Sequence, residues 1–259
     1  MDLDIFSKSF EKFGFFLAER LISCQHADRL RALVLKMASL EREQGQDYLY
    51  PHDPNKRTQR VWNLTNKHQS FRDLLELDVI HNGLSIIFAR PTDHPLFFLS
   101  SFQANALFPG ASAQKLHVDT PFPEPLPPWA ARANTIWFLD DFTEDNGATE
   151  VVPKSHKFTK KPSSRDQIEA LTRKITGPKG SVLFTHGNLW HRAGQNKSQF
   201  PRVAMLACFA ASYMKEIASE EDQSLVISQQ IKDQASPRLK SILGLGHGIK
   251  TGAFFQHDT

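Results

Sequence analysis

Gln114-Lys115-Leu116-His117-Val118-Asp119 is a short alternating segment that halts at Thr120-Pro121. In an extended backbone successive side chains point to opposite faces, so His117 and Asp119 share one face and Val118 takes the other. A second imidazole from a distant strand completes a facial set of two histidines and one carboxylate, and His191 is placed to supply it. That donor set suits Fe(II) and leaves three coordination positions open. Arg202 stands eleven positions beyond His191, one strand further on, where its planar fork can clamp a carboxylate. Together these residues describe an iron site that holds a 2-oxo acid and activates O2.

Surroundings separate this segment from its double. His26-Ala27-Asp28 repeats the pattern, yet it opens an amphipathic helix with Leu30, Leu33, Val34, Met37 and Leu40 on one stripe. Residues two apart on a helix do not share a face, so that copy is no chelate. Asp28 reads instead as a first-turn acid favoured by the helix dipole. Residues 114–119 lie among strand signals. An aromatic-rich apolar run at 97–108 is closed by Pro109-Gly110, and further strands follow at 134–140, 148–152, 181–185 and 203–213. Short strands separated by turns predict a mainly β chain with flanking helices. Its core is expected to be a double-stranded β-helix, the jelly-roll or cupin-like arrangement, rather than βαβ units.

Two longer stretches carry a family resemblance. Thr143-Glu144-Asp145-Asn146-Gly147-Ala148-Thr149-Glu150-Val151-Val152-Pro153-Lys154-Ser155-His156 resembles one signature of the phytanoyl-CoA dioxygenase-like family. Leu189-Trp190-His191-Arg192-Ala193-Gly194-Gln195-Asn196-Lys197-Ser198, with Arg202 downstream, resembles the second. With His117-Val118-Asp119 ahead of them, the motifs keep the family's order and span most of residues 97–212. Phe10-Glu11-Lys12-Phe13-Gly14-Phe15-Phe16 and the helix after it look like the family's opening.

The resemblance implies an oxygenase that uses Fe(II), 2-oxoglutarate and O2. Carried over position by position, His117, Asp119 and His191 are the iron ligands and so the catalytic centre. Arg202 binds the distal carboxylate of 2-oxoglutarate, and Gln114 and Thr149 make further cosubstrate contacts. This chain departs from the pattern twice. Ala193 stands where the family often has a hydroxyl residue, which removes a helper from Arg202, and Lys154 stands where a glycine is usual. Halogenating relatives of such sites replace the carboxylate with a small residue, so Asp119 argues for oxygenation.

Each of these residues also has a plainer reading. His117 can be a core histidine, and Asp119 can cap the Pro121 turn. His186, five residues before His191, competes with it as a ligand, although it reads as a strand end running into Gly187-Asn188. His156 reads as a structural histidine, or as one that supports the ligands without touching the metal. Arg202 directly precedes an apolar strand, where an unpaired charge is costly.

Composition sets outer bounds. With 259 residues and 40% hydrophobic content the chain can bury a full core, and one oxygenase domain is expected over 1–259. Its parts are a helical N-terminal portion (1–96), the β-helix core (97–212), and C-terminal helices with a tail (213–259). Helices are expected at 26–43, at 70–84 with Ser70 as cap, at 163–175 and within 216–243, and a loop at 48–60. A net charge of +3 without a Lys/Arg block excludes a nucleic-acid footprint. No apolar run reaches the roughly 18 residues of a membrane span, and the first residues carry acids rather than the bases of a signal peptide. Cys24 and Cys208 read as free, buried thiols of a reducing compartment, which makes the cytoplasm the expected location.

The function these features predict is oxidation, foremost hydroxylation, of a small and largely apolar organic substrate in natural-product or lipid metabolism. Desaturation, epoxidation or ring formation would use the same cofactors. A cupin-like binding protein without turnover is the alternative of another class, and a zinc hydrolase would use the same ligands without O2. The proline-rich 121–129 loop and the Arg60-Val61-Trp62-Asn63-Leu64 cluster are the expected substrate determinants. Twenty phenylalanines against three tyrosines point to an apolar cavity.

Overall fold

Alternation along residues 97–107 divides the molecule into two layers. Phe102, Ala104 and Ala106 face a core shared with helices, whereas Ser101, Gln103 and Asn105 line a cavity on the other side. The same division runs through every central strand.

The computed structural model describes residues 1–89, 97–163, 169–214 and 226–245. In chain order α1 (Leu3–Phe13), β1 (Phe15–Ala18), α2 (Cys24–Glu43), β2 (Tyr48–Leu49) and β3 (Thr58–Val61) come first. Three helices follow, α3 (Leu64–Lys67), α4 (Gln69–Leu75) and α5 (Asp78–Ile87). The strands β4 (Phe97–Leu107), β5 (Arg132–Phe138), β6 (Thr149–Val151), β7 (Arg173–Ile175), β8 (Val182–His186), β9 (His191–Ala193) and β10 (Arg202–Ala211) form the centre. Helices α6 (Gln229–Gln234) and α7 (Pro237–Ile242) end the described chain.

Seven strands pair in the order β1-β8-β5-β10-β4-β3-β2, and three in the order β7-β6-β9. All pairings are antiparallel. The two sheets share a core of Ile136, Phe138, Leu183 and Ala204 from the large one with Val151 and Ile175 from the small one. This is the expected jelly-roll core, built as an open sandwich rather than a closed barrel. The long β10–β4 ladder slips between Cys208 and Phe209, a bulge in which Ser100 of β4 is the extra residue.

The helices cover the outer face of the large sheet. Phe6 of α1 meets Phe184 of β8 edge-on at 5.1 Å, and Phe71 of α4 meets Phe102 of β4 at 6.4 Å. All four rings are fully buried, each contributing roughly 1.5–3 kcal/mol of transfer free energy. Sharp caps fix the helix ends. Asp2 accepts from the amides of Asp4 and Ile5, and Gly14, at φ 83°, ends α1 in the left-handed region. Among the described residues no helix is long and apolar enough to cross a membrane.

Several expectations are corrected. The first 96 residues are not only helical, because β1 and β3 join the large sheet and β2 extends it, so 48–60 is not simply a loop. The 70–84 helix is two helices with a break at Glu76-Leu77, and His68, not Ser70, caps the first by accepting from the Ser70 amide. Within 163–175 the described part holds a 3-10 turn and β7 instead of an α-helix; the rest lies outside the described residues. Parts of the 216–243 helices and of the tail also lie outside them. Cys24 is exposed rather than buried, since it starts the solvent-facing first turn of α2.

Candidate metal centre

The segment around His117 is held by the strand that carries His191. The His117 amide donates to the His191 carbonyl and the His191 amide to that of His117, both at 3.0 Å. Three residues further back, the Gln114 amide donates to the carbonyl of Ala193, two residues on from His191. Three steps on one side therefore face two on the other, and this bulge reduces the expected 114–119 strand to a single bridge. Beyond the bridge the amides of Asp119 and Thr120 both donate to the Gly187 carbonyl, at 2.8 and 3.2 Å. Glycine is required there: a Cβ on Gly187 would lie 2.6 Å from the Arg132 carbonyl oxygen and 2.8 Å from Thr120 Oγ1.

These bonds bring His117, Asp119 and His191 together. One ligand atom from each lies within 4.8 Å of the others, a spacing that can hold a metal ion. The Nδ1 atoms of His117 and His191 contact the carbonyls of Lys115 and Leu189 respectively, each at 2.9 Å. A carbonyl only accepts, so each Nδ1 carries the proton and each Nε2 keeps its lone pair. Both Nε2 atoms face the carboxylate, at 3.8 Å from Oδ1 for His117 and 3.3 Å from Oδ2 for His191. Asn134 Nδ2 donates to Oδ2 at 2.5 Å and leaves Oδ1 without that partner.

Electrostatics act on His117 and Asp119. Burial lowers the pKa of His117, and the His191 ring beside it lowers it further, so the imidazole is neutral. Burial pushes Asp119 up, but attraction to the histidine rings in their charged form, the Asn134 bond and Arg132 outweigh it and hold the carboxyl below its usual range. A neutral imidazole pair and an ionised carboxylate are what a divalent metal needs.

The triad lines a cavity of about 430 Å³. Gln114, Thr149 and Arg202 line it too. Arg202 is buried at the start of β10, its Nη2 donating to the Gly147 carbonyl and its guanidinium 4.5 Å from the Phe142 ring. Burial pulls its pKa down to about 10, against the raising influence of Asp140, and it stays charged near neutrality. Its Nε has no protein partner. The 146–149 stretch thus anchors the arginine through a backbone carbonyl. Gln114 Oε1 accepts from the Ala193 amide at 3.0 Å, so this side chain also ties the edge of the site together.

The competing histidines lie elsewhere. His186 accepts from the Asn188 amide and faces Phe10 and His156, on the helix side of the large sheet. His156 contacts the Glu11 carbonyl and packs beneath Gly14. Lys154 takes φ 70°, the left-handed turn for which glycine is usual.

The wall of the cavity differs from the expectation. Among the described residues no phenylalanine lines it, because the aromatic positions of the strands point to the helices; its surface mixes polar, cationic and aliphatic groups in about equal apolar and polar measure. Val118 borders the cavity half-buried instead of entering the core, and no residue of the 121–129 loop lines it. Sequence reading passed over Gln103, Asn105, Arg132 and Asn134. Their signal is the polar alternation of Ser101, Gln103 and Asn105 in β4 and of Arg132 and Asn134 in β5. Arg60 also lines the cavity, buried, 4.1 Å from the Tyr50 ring and 5.5 Å from that of Trp62, with no hydrogen-bond partner for its Nε.

Residues 10–204 match the family model described as phytanoyl-CoA dioxygenase (PhyH). Among curated relatives, "Dioxygenase af480" of Aspergillus fumigatus is 30% identical over 199 residues, 75% of this chain and 61% of that protein. "Dioxygenase cdmA" of Talaromyces verruculosus is 29% identical over 80% of this chain and 68% of its own length. The chain thus spans between 61% and 68% of the length of these two relatives. In structure it is similar to the epimerase SnoN, solved in complex with Fe3+, alpha ketoglutarate and nogalamycin RO. The TM-score is 0.65 at 14% identity, covering 81% of this chain and 84% of the other.

Proposed function

The chain belongs to the phytanoyl-CoA dioxygenase family, and on that premise we propose that it is an Fe(II)- and 2-oxoglutarate-dependent dioxygenase acting on a small organic molecule. The single observation that carries this reading is the pair of Nδ1–H···O=C bonds that turns two Nε2 lone pairs toward the Asp119 carboxylate. His117 Nε2, His191 Nε2 and one Asp119 oxygen hold the iron, a facial set that suits Fe(II). The activity named for both relatives agrees with this assignment.

When bound, iron and 2-oxoglutarate supply the oxidising chemistry, with O2 consumed and succinate and CO2 released. The chain does the rest. Asn134 fixes one Asp119 oxygen so that the carboxylate presents the other. Arg202 and Arg60 give the cavity two buried guanidinia, matching the two carboxylates of the cosubstrate. Gln114 and Thr149 line the same space and complete its polar contacts. Asp119 fills the third protein ligand position, which favours hydroxylation as the outcome.

Purified protein given Fe(II), 2-oxoglutarate and O2 is expected to release succinate, and Asp119→Ala and His191→Ala are expected to abolish the release. Release that survives both substitutions overturns the assignment. Turnover without O2 would favour the zinc hydrolase.

A further inference from the structure

The wall of the metal cavity carries many cations and little to oppose them. Arg60, Lys115, Arg132, Arg192 and Arg202 line it, and Asp119 is the one carboxylate among the described lining residues. Glu150 neutralises Arg192 across 2.6 Å, which leaves four cations. A divalent iron together with Asp119 adds one positive charge, and the dicarboxylate cosubstrate removes two. The loaded cavity therefore keeps about three positive charges, or about two with Arg132 discounted altogether. A cleft of one sign with low-dielectric walls concentrates ligands of the other sign.

Two further features define the occupant. Gln103 Oε1 and Asn105 Oδ1 are buried on the cavity side of β4 without a protein partner, so they call for a hydrogen-bond donor elsewhere on the occupant, which a wholly apolar molecule lacks. Lys115 lines the exposed side of the cavity, two residues ahead of His117, and its ammonium makes no ion pair among the described residues. Arg202 and Arg60 are occupied by the cosubstrate in the reading above, and Arg132 is buried in the wall at the start of β5, so Lys115 is the exposed cation left for a second ligand.

We infer that the substrate carries an oxyanion group, a carboxylate or a phosphate, and that Lys115 receives it at the cavity mouth beside the metal centre. This inference rests on the iron and 2-oxoglutarate assignment. It replaces the apolar molecule expected from the aromatic content with one that is charged at one end. Lys115 acts as a specificity determinant: its side chain meets the substrate, while its backbone carbonyl separately orients His117.

The test is a calorimetric titration of the protein loaded with Fe(II) and 2-oxoglutarate under anaerobic conditions. Three matched probes are used: 3-phenylpropanoate, 3-phenylpropyl phosphate and the neutral methyl 3-phenylpropanoate. At low salt at least one anion is expected to bind about tenfold or more tightly than the ester, and the better anion identifies the group. The preference should shrink below about threefold near 1 M NaCl, where charges are screened within about 3 Å. It should shrink likewise in Lys115→Gln and return in Lys115→Arg. Equal binding of acids and ester, no binding of either anion, or a preference untouched by Lys115→Gln overturns the inference. The charge-transfer absorbance of the iron–cosubstrate complex is read in parallel. Its failure to form would sink the cofactor assignment, while the heats still decide the anion preference.

Discussion

Asn134→Leu isolates the group that orients the carboxylate of Asp119, the proposed metal ligand. Asn134 Nδ2 lies 2.5 Å from the half-buried Asp119 Oδ2 and is itself buried at the inner face of β5. Its other contact, to Thr185 Oγ1 at 3.4 Å, is at the edge of hydrogen-bonding range and holds the amide only weakly. A hydrogen bond to a charged group contributes about 1.5–3 kcal/mol, and leucine fills similar volume without replacing the donor. At about 1.4 kcal/mol per factor of ten, this corresponds to roughly 10- to 100-fold in metal affinity. Losses of outer-sphere partners at other metal sites fall in the same range. The assay is anaerobic Fe(II) titration against a competing chelator, with a thermal melt to verify that the variant is folded. Thr185→Val serves as the matched control and should change affinity less than about threefold, since it removes only the long contact. A folded Asn134→Leu protein that binds Fe(II) within threefold of the parent would refute the reasoning.

Three other outcomes follow from the geometry. Arg202→Met should weaken 2-oxoglutarate binding about a hundredfold, the equivalent of losing one bidentate carboxylate pair worth about 3 kcal/mol, measured by calorimetry on metal-loaded protein; an unchanged Kd would remove Arg202 from the cosubstrate site. Gly187→Ala forces a Cβ into the Arg132 carbonyl and Thr120 Oγ1, so it should cost more than about 2 kcal/mol in urea unfolding and displace Asp119; a variant of parental stability and metal affinity would contradict the packing described. His186 has a pKa lowered from 6.5 to about 3, chiefly by burial and secondarily by His156. The unfolded chain therefore binds a proton between those pH values that the native chain does not, and stability falls as pH drops through that window, by about 1.4 kcal/mol per unit. Between pH 6.5 and 4.5 the parent should lose roughly 2–3 kcal/mol more than His186→Leu, and parallel curves would contradict it.

The sequence made the fold class legible because the inner strands alternate so strongly. In residues 101–106 Ser101, Gln103 and Asn105 alternate with Phe102, Ala104 and Ala106, and the antiparallel ladders follow that pattern. Residues His117, Asp119 and His191 could be named together because two lie on one short segment and the third sits in a motif of its own. The structure adds what brings them together: the Gly187 carbonyl, the bridge to His191 and the bulge between Gln114 and His117. Only the glycine at 187 leaves a mark in the sequence; the bridge and the bulge are backbone features that depend on no distinctive side chain. Phenylalanine content misled the reading of the cavity, because composition does not say which face of a strand a ring occupies. Phe102 and Phe209 are buried toward the helices, while Ser101, Gln103 and Cys208 turn inward. The β2–β3 hairpin was hidden for a different reason: its two-residue partner strand is too short to show a period. Arg60 gains its place in the cavity only through that hairpin.

A crystal of the protein soaked anaerobically with Mn(II) and 2-oxoglutarate, measured at the manganese absorption edge, puts the metal assignment to its most direct trial. One anomalous peak is expected, bonded to Nε2 of His117, Nε2 of His191 and a single oxygen of Asp119, with the cosubstrate reaching Arg202. A peak elsewhere, or a metal bound through Nδ1 of either ring, would contradict the account.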